Sequence, residues 1–205
     1  LDAGVAGYGV FRAGNPLDGS DADPFRQVYA TAFPNGSLGA RVEFDLADQG
    51  ATTRIYVGDS SDGVATAALR VADGIDAIAA QDLVDDSTSP TPTTWHLRSS
   101  DQVTDPQGFS SYAYCQNGQC GYDNFVVADP ADADTVWLGG AMAYGELAAF
   151  GSPDPRPNGR AVVPSTHAGV SLTDMTDAGR SPALGMHPHQ HALLLDPPTP
   201  APAPL

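Results

Sequence analysis

Apolar residues along the chain come in bursts of four to six, each closed by Gly, Pro, Asp or Ser. That is the rhythm of short strands and turns rather than of helices, whose apolar positions recur every three to four residues. Residues 5–11, 27–32, 41–46, 54–57, 66–71, 94–97, 125–128, 135–138, 160–163 and 191–195 read as strands. Residues 73–84 depart from this rhythm. Ile75, Ile78 and Leu83 among several Ala leave that stretch open between a short helix and a wide turn. Ten short strands predict an all-β chain, either a sandwich or a β-propeller.

Internal repetition favours the propeller. Arg41-Val-Glu-Phe-Asp-Leu, a polar turn and Arg54-Ile-Tyr-Val-Gly58 parallel Phe125-Val-Val-Ala-Asp-Pro130, a polar turn and Thr135-Val-Trp-Leu-Gly-Gly140. A third copy begins at His191-Ala-Leu-Leu-Leu-Asp-Pro197 and meets a proline-rich end. The unit is strand, Asp turn, strand, Gly, with Asp45, Asp129 and Asp196 in the shared position. A second recurring element, Gly9-Val-Phe-Arg12, Ala68-Leu-Arg-Val71 and Ala161-Val-Val-Pro-Ser165, falls where a third strand would end. We therefore expect blades of four-stranded antiparallel sheet in residues 1–196, about three to four of them at the usual repeat length of roughly 40–50 residues. Residues 197–205, with five prolines at alternating or adjacent positions, read as a tail or linker, because proline cannot donate to a strand ladder.

Composition agrees with a turn-rich chain. Of 25 acidic residues only Glu43 and Glu146 are Glu, and Asp favours turns where Glu favours helix interiors. The nine basic residues are all Arg, and the net charge of −16 repels phosphate backbones, which excludes nucleic acid as an expected partner. No apolar run reaches the roughly 18 residues of a membrane span. Cys115 and Cys120 flank Gln-Asn-Gly-Gln, whose Asn-Gly is a tight-turn signal, so a disulfide across a hairpin tip and an oxidising, extracellular location are expected.

The segment Ser165-Thr-His-Ala-Gly-Val-Ser-Leu-Thr173 resembles the Asp box of sialidase-type propellers, Ser-x-Asp-x-Gly-x-x-Trp/Phe, with His167 in the Asp position and Leu172 in the aromatic one. Together with Cys120-Gly-Tyr-Asp-Asn-Phe-Val-Val127 and His187-Pro-His-Gln-His191, the chain looks like secreted bacterial proteins with sialidase-like BNR repeats. Those proteins tend to read Ser-Thr-Asp-Ala-Gly and His-Pro-Asp-Gln-His where this chain carries His167 and His189. The resemblance implies a propeller of which this chain holds only part, and a structural turn at Ser165, His167 and Gly169. Either the chain is a fragment, or partner copies complete the ring, or the propeller is an unusually small closed form.

Several groups are candidates for chemistry. His187, His189 and His191 alternate, so a strand would turn them to one face, where imidazoles can bind a metal; satisfied polar positions at a strand start are the plainer reading. Glycoside hydrolysis needs two carboxylates about 5–10 Å apart. Asp123 is the best acid by position, with Glu146 or Asp174 as its mate, yet no arginine triad of the sialidase kind is legible. Asp59-Ser-Ser-Asp-Gly63 and Asp129-Pro-Ala-Asp-Ala-Asp134 offer oxygens suited to Ca²⁺, although neither completes the twelve-residue calcium loop and plain Asx turns explain both. The sequence thus predicts a secreted module for binding a carbohydrate or protein or for scaffolding. The alternatives are a sialidase-like glycoside hydrolase and a self-assembling extracellular subunit.

Overall fold

A computed structural model describes residues 9–13, 26–30, 42–59, 68–78, 94–99, 123–140, 162–170 and 191–195. They are all-β: none is helical, and every strand pairing is antiparallel. The strands are β1 (Gly9–Arg12), β2 (Arg26–Ala30), β3 (Val42–Asp48), β4 (Thr53–Asp59), β5 (Ala68–Ala72), β6 (Trp95–Ser99), β7 (Asn124–Asp129), β8 (Asp132–Gly140) and β9 (Val162–Ser165). They form three sheets in sequence order, β1-β2, β3-β4-β5-β6 and β7-β8-β9, and none closes on itself. Each sheet is a meander, as expected when short turns join neighbouring strands.

Two of the three sequence copies form like-paired hairpins, with Glu43 rather than Arg41 in the place of Phe125. β3 and β4 align Glu43 with Gly58, and β7 and β8 align Phe125 with Gly139. Both hairpins close with the same device: Asp48 Oδ1 accepts from Gly50 N at 2.6 Å, and Asp129 Oδ1 accepts from Ala131 N at 2.8 Å. Asp48, not Asp45, is therefore the counterpart of Asp129. Asp45 lies in mid-strand opposite Tyr56 and has another task.

Side chains alternate across a strand, so the middle sheet has two apolar faces. One carries Ala47, Tyr56, Leu69 and Val71 and packs on Val126, Ala128, Val136, Leu138 and Val163 of the third sheet. The other carries Ile55, Val57, Ala72 and Trp95 and packs with Val10, Val28, Tyr29 and Ile75. The three sheets are thus stacked, with β3–β6 between its neighbours. Residues 73–78 resolve part of the open helix-or-turn question: Gly74 has φ +65°, Ala77 N bonds to Gly74 O at 3.0 Å, and the turn drops Ile75 into the core. Residues 79–84 lie outside the described residues. Residues 191–195, expected as a strand, are in no regular element.

Polar contacts stitch the middle sheet to the third. Arg54 on β4 pairs with Asp73 and with Asp134, and donates to Ala133 O at 2.9 Å, while Tyr56 OH donates to the same carbonyl at 2.6 Å. Burial works against the charge on Arg54, but its bonds to Asp73, Asp134 and Tyr56 outweigh it and hold the guanidinium above its ordinary range. Burial also raises the Tyr56 phenol pKa above its usual value.

The raised Tyr56 value sets the sign of a pH effect. The folded state holds the phenolic proton more tightly than the unfolded chain, so this contribution is complete below the free tyrosine pKa near 10 and is lost as pH climbs past it. Tyr56→Phe should cost about 1 kcal/mol near neutral pH, the usual worth of one hydrogen bond. Urea unfolding at neutral and at strongly alkaline pH checks this: the gap between wild type and variant should shrink at the alkaline end.

Candidate functional site

Polar side chains gather where β4 and β8 end and β7 begins. Asp123 precedes β7 and is completely buried, and Asn124, the first residue of β7, donates through Nδ2 to Gly58 O at 3.2 Å, tying the strand start to the middle sheet. Gly140 at the end of β8 is required there, because a Cβ at that position would lie 2.3 Å from Asp123 O. The backbone approach this permits is what draws Asp123 inward.

His191 closes over Asp123, with Nδ1 2.8 Å from Oδ1. The two groups meet without aligning the ring N–H for a hydrogen bond, and neither carboxylate oxygen accepts one. The histidine side chain is 61% exposed. The arrangement presents an exposed imidazole over a buried carboxyl group, able to hydrogen-bond a polar ligand.

The structure therefore brings together Asp123 and His191, which the sequence had assigned to different chemistries. Glu146, Asp174, His187, His189, Cys115 and Cys120 lie outside the described residues, as does Leu172. Among the described residues no group of three His, Cys, Asp or Glu side chains could hold a metal ion. The Asp-rich turn at 129–134 uses its carboxylates locally. Asp132 accepts from Asp134 N at 3.0 Å and from Thr135 Oγ1 at 2.8 Å, which lowers its pKa, and Asp134 pairs with Arg54.

Asp59, also weighed for Ca²⁺, is buried and accepts from Tyr29 OH, with the Arg70 guanidinium 3.8 Å away and stacked 5.3 Å over the Tyr29 ring. Tyr29 in turn meets Trp95 at 5.4 Å between ring centroids, and Trp95 Nε1 donates to Val28 O at 3.0 Å. Sequence reasoning missed this cluster. Its one signal was Arg70 interrupting the apolar run of β5, on the opposite face from Leu69 and Val71.

In the turn after β9, Ser165 Oγ accepts from His167 N at 3.1 Å and from Gly169 N at 2.9 Å. Ala168 and Gly169 have φ +52° and +81°, and Ala168 N bonds to Asp134 O at 2.8 Å. A Cβ on Gly169 would come within 2.6 Å of Leu69 Cδ2, so this turn presses on the middle sheet. His167 itself is exposed. Ser165→Ala should cost roughly 1–3 kcal/mol because two amides lose their acceptor, whereas His167→Ala should stay within about 0.5 kcal/mol of wild type. Chemical denaturation of the two variants measures the difference.

No family model, curated protein or solved structure matches the chain, so the resemblance to BNR-repeat propellers rests on the quoted residues alone.

Proposed function

We propose that the chain is an extracellular β-propeller module that binds a carbohydrate or protein ligand or serves as a scaffold, with the meanders as its blades. One observation carries the reading. Two successive sheets share strand register and turn chemistry, and the first strand of one lies on the first strand of the next. Radial stacking of like sheets through their first strands is what a propeller requires. The extracellular setting rests on the disulfide expected between Cys115 and Cys120.

In this reading His191 is the exposed contact at the polar end, and Asp123 lies beneath it. The burial of both Asp123 oxygens argues against a role as glycosidic acid, because a sugar cannot reach them without displacing His191. A glycan array probed with the purified chain tests the proposal. A binding signal that falls at least about tenfold in His191→Gln, an effect of one polar contact or more, supports it. Hydrolysis of a glycan by the wild type that vanishes in Asp123→Asn would overturn the non-catalytic reading in favour of the glycoside hydrolase.

A further inference from the structure

Among the described aspartates, Asp123 stands apart. Asp45, Asp48, Asp129 and Asp132 each accept from a backbone amide, and Asp59 accepts from Tyr29 OH. The Asp123 side chain is completely buried, yet among the described residues neither of its oxygens accepts a hydrogen bond. Buried polar groups are nearly always satisfied, so a buried carboxyl group without donors calls for a bound water or ion, or for a chemical role.

Packing brings an imidazole to this group. Leu193 packs with Phe125 and Val162. Asp123 lies two residues before Phe125 and His191 two before Leu193, so the apolar contact sets the two segments side by side. His191 Nδ1 then stands 2.8 Å from Asp123 Oδ1. Gly140 secures the opposite side, because a Cβ there would lie 2.3 Å from Asp123 O. An apolar anchor and a glycine thus hold the approach, with no aligned hydrogen bond between the two side chains.

Two ligands of one metal ion have this relation. Bonds of about 2.1 Å from an imidazole nitrogen and a carboxylate oxygen, meeting near a right angle, set the donor atoms about 3 Å apart with no proton between them. Zn²⁺, Ni²⁺ and their neighbours accept this mixture of nitrogen and oxygen, whereas Ca²⁺ and Mg²⁺ favour oxygen alone. We propose that Asp123 and His191 jointly bind a divalent first-row transition-metal ion at the start of β7. Two protein ligands make an open site, and on the side of His191, which is 61% exposed, water completes the coordination. The inference is independent of the blade reading, since it needs only the contact between these two segments.

Calorimetric titration of the untagged, chelator-treated chain with Ni²⁺ tests the proposal. One ion per chain should bind, and His191→Ala and Asp123→Asn should each weaken binding at least about tenfold. Ca²⁺ at about 1 mM should not compete, although it would occupy sites made of surface carboxylates. X-ray absorption of the Ni²⁺-loaded chain should show one imidazole ligand. His191 is exposed, so its substitution probes the ligand without threatening the fold; if circular dichroism shows Asp123→Asn unfolded, the imidazole count and the His191→Ala titration decide together. No binding up to about 1 mM Ni²⁺, a range that still detects weak sites, overturns the proposal. So do binding that either folded variant leaves intact, displacement by Ca²⁺, and two or more imidazole ligands.

Discussion

The architecture depends on one carboxylate at a seam. β3 and β7 are both sheet edges, and an edge exposes backbone N–H groups that need acceptors. Asp45 supplies them to both sheets: Oδ1 accepts from Leu46 N at 2.9 Å and Oδ2 accepts from Ala128 N at 2.8 Å. One side chain therefore satisfies two edges and fixes how the sheets approach each other. Its position is held in turn by the apolar contact of Ala47, Tyr56, Leu69 and Val71 with the third sheet. Hydrophobic burial is non-directional and would allow the sheets to slide; Asp45, with Arg54 and Tyr56 reaching Ala133 and Asp134, chooses one register among the packed alternatives.

The other junction is built with different groups toward the same end. Tyr29, Asp59, Arg70 and Trp95 bury a phenol, a carboxylate, a guanidinium and an indole between the first and middle sheets. Arg12 adds bonds to the carbonyls of Ile75 and Ile78. These contacts fasten β2 to β4, β5 and β6, while Phe44 and Leu46 on β3 are each 50% exposed.

The polar end obeys a different constraint. Gly140 lets the backbone of Asp123 approach β8, and that approach carries the carboxylate out of solvent. His191 Nδ1 lies 2.8 Å from the Asp123 carboxylate, so the strand start and a segment far along the chain meet at one contact.

Strand positions were written in the alternation and turn residues of this sequence, because burying one face of a two-residue period and closing each turn with Asp or Gly are local requirements. The runs at 54–57 and 135–138 became the cores of β4 and β8 for that reason. Choosing Asp45 as the repeat's shared position misread a mid-strand carboxylate as a turn cap, since spacing alone cannot separate it from Asp48. Residues 191–195 have the pattern of a strand but no described ladder partner, and pairing is a property of neighbours rather than of sequence. Likewise, Asp123 and His191 were each legible as polar candidates. Only the tertiary structure joined them, because Gly140, Asn124 and Gly58 decide where the start of β7 lies.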